Sequence, residues 1–225
     1  MLDRKTVEKL IRESAERSKR GRKEHHLFNK IMISVKEDVL PGINFSQIIQ
    51  KIEQMMPSHL FDEVDSIFIG TFSENDDRAL EAHYEDGAIY ITSDLSTNLD
   101  YLENIVHETA HAIEGSHGLF IYGDKKIERE FLGKRERLMA RLRAHGASPT
   151  EMLFYDPEYS AELDLYLYKE IGYENLASLT NGLFNSPYAA TSIREYFANG
   201  FEEYFLGRRE YLPKVSPQLF IKIEN

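Results

Sequence analysis

The sequence of 225 residues contains no cysteine. Disulfide bonds, thiol nucleophiles, thiolate zinc sites and iron-sulfur clusters are therefore excluded. A bound metal ion would have to be held by histidine, aspartate or glutamate side chains. With 42% hydrophobic and 29% charged residues, the composition is typical of a globular domain and not of a disordered chain.

Positive charge is also scarce, because 27 Lys and Arg face 38 Asp and Glu, for a formal net charge of -11. Such a chain has no basic field to hold a phosphate backbone, so we expect no nucleic-acid partner. No run approaches the 18 consecutive apolar residues of a membrane span, and residues 1–5, MLDRK, do not open a signal peptide. We therefore expect no membrane partner and a cytoplasmic location. The sequence leaves the oligomeric state open.

Hydrophobic patterning divides the chain into three predicted parts that form one catalytic domain. Residues 1–26 are dense in charge and predict an N-terminal helical arm. Residues 27–115 predict an α/β lobe with a short β-sheet and the active-site helix. Residues 116–225 predict a mainly helical lobe. The expected fold class is therefore α+β.

Within these parts, apolar spacing and turn residues place individual elements. The α/β lobe is predicted to contain, in order, a helix over 28–39, a helix capped by Asn44, a strand over 64–70, a hairpin of 79–84 and 88–92, and a helix over 98–114 that Gly115 ends. The helical lobe is predicted to contain helices over 124–145, 156–172 and 192–207.

One motif carries chemistry: residues 107–111 read HETAH, the H-E-x-x-H pattern, on the predicted helix over 98–114. Residues four apart on a helix differ by about 40° in direction, so His107 and His111 can reach one metal ion from the same face. Glu108 can then lie beside the open position of the metal and take a proton from a bound water. The pattern predicts a Zn²⁺ site with Glu108 as general base.

A catalytic zinc ion usually has three protein ligands, so a third must come from elsewhere in the chain. The longer spacing H-E-x-x-H-x-x-G-x-x-H does not occur, which favours a carboxylate. Glu114 is too near on the same helix to complete a tetrahedron, and we assign it to orienting an imidazole N–H. Glu130 follows His111 after 18 intervening residues, a gap known from zinc aminopeptidases, but without their sequence context. Glu195 and Glu202 lie on the last long helix, where a capping box also explains Glu195.

Residues 187–199, PYAATSIREYFAN, resemble the second motif of a group of gluzincin peptidases. This group contains the anthrax lethal factor catalytic domain, the Pro-Pro endopeptidases and the Mlc titration factor peptidases. In it a tyrosine precedes the third-ligand glutamate by seven residues and an aromatic pair follows. Tyr188 precedes Glu195 by seven residues here, and the pair at 196–197 follows. The resemblance, including the first motif, covers about a quarter of the chain.

The resemblance implies a zincin-like fold and a zinc metallopeptidase that acts on a peptide or protein substrate. It implies that His107, His111 and Glu195 are the zinc ligands, that Glu108 is the general base and that Tyr188 donates to the developing oxyanion. The 84 residues from His111 to Glu195 exceed the interval expected for the group, which would make the charged helix over 124–145 an insertion.

Asn199 stands four residues after Glu195, where an acidic residue that supports the metal ligands is expected, and its amide would take that role. The alternative function is a noncatalytic zincin-like interaction or regulatory module, which failure to bind zinc would favour. A regulator that docks a nucleic acid or a partner through the basic residues of 12–23 and 134–143 is disfavoured by the net charge.

Overall fold

The computed structural model describes residues 23–72 and 81–225. These residues form a mixed α+β structure with one five-stranded sheet and a mostly helical remainder, which confirms the coarse fold class. The chain divides into two compact units, Met1–Ala112 and Ile113–Asn225. Within the described residues, no helix combines the length and the apolar character that a membrane span requires.

The sheet lies in the first unit and contains parallel and antiparallel pairs. Its strand order is β1-β2-β3-β5-β4, in which β1 pairs antiparallel with β2, β4 pairs antiparallel with β5, and the two remaining pairs are parallel. The strands are β1 Lys23–Leu27, β2 Ile31–Val35, β3 Ser66–Ile69, β4 Ala82–Glu85 and β5 Ala88–Ile91. The predicted strand over 64–70 and the hairpin around Asp86 and Gly87 are confirmed.

The helix predicted over 28–39 is wrong, because β2 occupies its centre. Phe28 and Asn29 have φ angles of 52° and 53°, so they form the tight turn of a β1-β2 hairpin. On β2, Ile31, Ile33 and Val35 are buried with the two-residue period of a strand. The i, i+3, i+4 spacing of apolar residues suggested a helix here. The turn that separates the two strands was not recognised, because phenylalanine is an uncommon residue at a positive φ angle.

The predicted N-terminal arm over 1–26 is tested only at its end. Residues 1–22 lie outside the described residues, and so do residues 79 and 80 of the predicted hairpin. Residues 23–26 belong to β1 and not to a helix. Their side chains are mostly exposed and charged or polar, which is why no apolar alternation marks this strand in the sequence.

Two α-helices and a short 3-10 helix complete the described part of the first unit. Helix α1, Phe45–Met55, begins at Asn44, whose side-chain oxygen accepts the backbone N–H of Gln47 at 3.2 Å. This cap confirms the predicted start. A short 3-10 helix, Ser58–Phe61, follows. Helix α2, Asn98–Tyr122, starts in the first unit and continues without a break into the second.

Helix α2 does not end at Gly115, as predicted, but runs two turns further to Tyr122. A glycine inside a helix costs only about 1 kcal/mol relative to alanine. Packing offsets this cost, since Ile121 on the final turn is 3% exposed. The helix ends at Gly123, whose N–H bonds the Leu119 carbonyl oxygen at 2.9 Å and where a Cβ would collide with that oxygen.

The second unit is helical over its described length. After α2 it contains α3 Lys126–Ala144, α4 Glu151–Tyr155, α5 Ala161–Leu165, a π-helical segment Tyr166–Ile171, α6 Tyr173–Thr180, a 3-10 helix Tyr188–Ala190, α7 Ile193–Phe205, α8 Leu212–Val215 and α9 Pro217–Glu224. The helices predicted over 124–145 and 192–207 are confirmed as α3 and α7. The helix predicted over 156–172 begins only after the Ser160 cap and widens to π-helix at Tyr166.

Candidate metal centre

Helix α2 carries the H-E-x-x-H motif with its two histidines on one face. The ring centroids of His107 and His111 are 5.0 Å apart, and both side chains are half-buried. Val106 and Ala110 have no exposed surface, so they anchor the helix in the core. The sequence prediction that both imidazoles share a face is confirmed, and the burial of the neighbouring positions fixes that face.

Helix α7 supplies a carboxylate to the same place. One ligand atom each from His107, His111 and Glu195 can be chosen so that all lie within 4.8 Å of one another. Ser192 caps the helix by accepting the backbone N–H of Glu195 at 3.1 Å. This cap involves the backbone N–H of Glu195, so it does not itself require the Glu195 carboxylate.

Contacts inside the second unit hold α7 against the later turns of α2. Arg194 lies with its Nε atom 3.5 Å from a carboxylate oxygen of Glu114. The ring of Phe197 packs edge-on against that of Tyr122, with centroids 6.3 Å apart. Glu195 lies between these two contact residues in sequence, so both contacts fix the turn that carries it.

Glu130, the competing third ligand, has other partners. Its carboxylate accepts the hydroxyl of Tyr196 at 2.8 Å and the backbone N–H groups of Gln218 and Leu219 at 2.9 and 3.2 Å. It therefore caps the start of α9, where a carboxylate also favours the helix dipole. Among the described residues, the group with metal-binding geometry contains Glu195 and does not contain Glu130 or Glu202.

Glu108, the predicted general base, lies next to the first histidine on α2 and is 6% exposed. Its burial keeps bulk water from competing for the carboxylate, which suits a group that must exchange a proton with a single bound water. Tyr188, the predicted oxyanion donor, opens the 3-10 helix and is half-buried. Their catalytic roles stay predictions.

Glu114 is buried beside the motif, with a side chain only 4% exposed. It accepts a hydrogen bond from the hydroxyl of Tyr122 and pairs with Arg194. Burial and the negative charge of Glu114 both raise the pKa of Tyr122 far above its usual value, so that hydroxyl stays a donor. The predicted contact of Glu114 with an imidazole is not among these bonds and stays a prediction.

Asn199 was expected to support the metal ligands in place of an acidic residue. Its amide nitrogen donates to the backbone carbonyl oxygen of Glu195 at 2.9 Å, and its amide oxygen accepts the hydroxyl of Ser186. The Ser186 hydroxyl in turn accepts the backbone N–H of Ala189 at 3.1 Å. Asn199 thus joins the turn that carries Tyr188 to the helix that carries Glu195.

Arg135 is a structural residue that the sequence did not reveal. It has no exposed surface, and its guanidinium donates to the carbonyl oxygens of Ala190 and Thr191 at 2.9 and 2.5 Å. It also donates to the carbonyl oxygens of Leu153 and Asp156. Because these bonds are made to backbone atoms, no sequence pattern marks them.

Two of the basic residues in the docking surface considered over 134–143 are buried and cannot contact a partner. Arg135 is buried, and Lys134 is only 4% exposed. The Lys134 amine donates to the Ser216 hydroxyl at 2.6 Å and lies 4.6 Å from the centre of the Tyr196 ring. Burial lowers the pKa of Lys134 from 10.5 to about 7. Both side chains therefore form hydrogen bonds in the interior of the helical unit and are not part of a docking surface.

The residues that the structure brings together suit a zinc ion. Two imidazoles and one carboxylate, from His107, His111 and Glu195, are the donor types that catalytic zinc uses with a fourth position open. The sequence predicted this set from two separate motifs. The chain matches no protein-family model, no curated protein and no solved structure, so the geometry of the site itself carries the functional argument.

Proposed function

We propose that this protein is a zinc-dependent metallopeptidase with a zincin-like arrangement of its metal site. The observation that supports this most directly is the convergence of His107, His111 and Glu195, whose ligand atoms lie within 4.8 Å of one another. Two of these residues belong to the H-E-x-x-H motif and the third lies 84 residues away in the sequence. If the two histidines had no metal role, there would be no reason to expect a glutamate from a distant part of the sequence beside them.

His107, His111 and Glu195 would hold the zinc ion. When bound, zinc acts as a Lewis acid and lowers the pKa of a bound water toward neutrality. Glu108 follows His107 directly and is available to take a proton from that water. Once the water oxygen has bonded the scissile carbonyl carbon, Glu108 would return this proton to the amine nitrogen as the carbon–nitrogen bond breaks. Tyr188 donates a hydrogen bond to the carbonyl oxygen as negative charge develops on it.

Zinc binding and peptide cleavage test the proposal together. The wild-type protein should bind one zinc ion by calorimetry and cleave members of a random peptide library in a chelator-sensitive reaction. Glu108→Gln should keep zinc affinity and lose nearly all turnover. Glu136→Gln, an exposed carboxylate on α3, is the matched control and should behave as wild type.

Two results would count against the proposal. A Glu108→Gln protein that cleaves peptides as fast as wild type would remove the general base from the mechanism. A wild-type protein that binds zinc and cleaves no peptide would favour the noncatalytic interaction or regulatory module instead.

A further inference from the structure

A cavity of about 440 Å³ lies in the second unit beside the helix that carries Glu195. Ile193 and Arg194 line it from the first turn of α7, and Gly115 and Gly118 line it from the later turns of α2. Glu158 lines it from the loop before α5. Solvent reaches the cavity, since the side chain of Arg194 is 56% exposed.

The two glycines form a wall without side chains. Each lies inside α2, where glycine is less favourable than alanine. A Cβ added at Gly115 or Gly118 would meet no atom within 4 Å, so no neighbour requires glycine at either position. Side chains at these positions would project into open space beside the cavity. The glycines therefore keep the cavity wide at a cost to the helix.

The charges of the cavity leave one carboxylate in excess. Lys125 pairs with Glu128 at 2.6 Å, and Arg194 pairs with Glu114 at 3.5 Å. The carboxylate of Glu158 has no hydrogen-bond or ion-pair partner among residues 23–72 and 81–225. The unpaired charge favours a cationic ligand over a neutral or anionic one.

The charge of Glu158 is felt inside the cavity. The hydroxyl of Tyr122, which also lines the cavity, has a pKa raised by its burial and by the negative charges of Glu114 and Glu158, against the opposing charge of Arg194. Glu158 is therefore close enough to act on a group bound there.

We propose that this cavity is a substrate subsite that takes a lysine or arginine side chain of the peptide, with Gly118 and Glu158 as specificity-determining residues. The inference rests on the proposed peptidase function. An extended basic side chain suits a cavity lined by Ile193, by two glycines and by the carboxylate of Glu158, because its methylene stem packs while its charge stays hydrated.

Glycine substitutions distinguish an effect on ligand binding in the cavity from an effect on the stability of the fold. Gly118→Ala and Gly118→Leu should raise the melting temperature by about 2 to 4 °C through better helix propensity. Both should slow cleavage of peptides with a basic residue near the scissile bond, with the larger loss for leucine. Gly133→Ala on α3 is the matched control, because a Cβ there also meets no atom within 4 Å. It should gain stability and leave cleavage unchanged.

A charge substitution tests the ligand class with two peptide pools that differ only in lysine or norleucine at one fixed position. Glu158→Gln should reduce the preference for the lysine pool by about fivefold, the change expected for one exposed ion pair. Glu162→Gln, an exposed carboxylate on α5, should leave the preference at its wild-type value.

The outcomes separate this inference from the proposed function. Cleavage with equal rates for both pools, or a Gly118→Leu variant with wild-type preference, overturns the subsite and leaves the peptidase standing. If neither pool is cleaved, the proposed function fails. Binding of the intact pools, measured by fluorescence anisotropy, then tests whether the cavity takes a cationic side chain. Tighter binding of the lysine pool that Glu158→Gln abolishes would support the cationic site, and equal binding would overturn it.

Discussion

Glu195 and Glu130 were both candidates for the third zinc ligand, and the contacts of each carboxylate distinguish them. Glu195 approaches the two histidines, while Glu130 accepts bonds from Tyr196 and from the start of α9. We expect Glu195→Gln to weaken zinc binding by at least about 10- to 100-fold, the loss typical for a residue that only supports a metal ligand. Glu130→Gln should leave zinc affinity unchanged and lower the free energy of unfolding by about 1 to 3 kcal/mol, because it replaces a buried capping charge. Calorimetry and urea unfolding measure the two effects.

The opposite pattern, with zinc lost in Glu130→Gln and kept in Glu195→Gln, would discard the assignment of the third ligand and, with it, the role of Tyr188.

Lys134 predicts a pH dependence of stability. Burial lowers its pKa to about 7 in the folded protein, whereas an unfolded lysine titrates near 10.4. Between these values the unfolded chain binds more protons than the folded one, so stability rises with pH. From pH 7 to pH 9, the wild type should gain on the order of 2 kcal/mol relative to Lys134→Met. Urea unfolding at both pH values measures this difference, and parallel pH profiles would show that Lys134 stays protonated when buried.

Among single residues, the sequence predicted those that belong to motifs with a characteristic spacing. The two histidines and Glu108 follow from the H-E-x-x-H motif, and Glu195 follows from the resemblance of residues 187–199 to the second gluzincin motif. The role of Arg135 could not be predicted, because its partners are backbone oxygens from segments distant in sequence. Such bonds depend on the fold and leave no residue pattern.

Between elements, Arg135 connects α3 to the segment that leads into α7. Its four carbonyl partners would lose their donor in Arg135→Met. We expect this variant to lower the free energy of unfolding by about 3 to 5 kcal/mol, the range for disrupting a buried charged network. Arg137→Met, exposed on the same helix, should change it by less than about 0.5 kcal/mol. Equal losses in the two variants would show that the bonds of Arg135 contribute little.

Elements with a clear local signal were predicted and those set by tertiary contacts were not. The Asn44 cap and the Asp86-Gly87 turn specify their elements locally. Strand β2 was missed because its five residues fit both a strand period and the longer helical spacing from Phe28 to Val39, and pairing with the neighbouring strands selects the strand. The extension of α2 past Gly115 likewise depends on packing of its last turns.

For the whole molecule, zinc binding should appear as added stability. A ligand that binds only the folded state at 100 times its dissociation constant adds about 2.7 kcal/mol. For a chain of this size, that corresponds to a rise in melting temperature of about 5 to 10 °C. Scanning calorimetry with zinc and with a chelator measures the shift. His111→Ala should abolish it, and a shift of the same size in that variant would place the zinc ion elsewhere.

The zinc site itself can be observed in an anomalous difference map from crystals grown with zinc and measured at the zinc absorption edge. We expect one strong peak bound by His107, His111 and Glu195, with Glu108 beside the open position of the metal. A peak with a different third ligand, or no peak at these residues after zinc soaking, would show that this metal site is wrongly assigned.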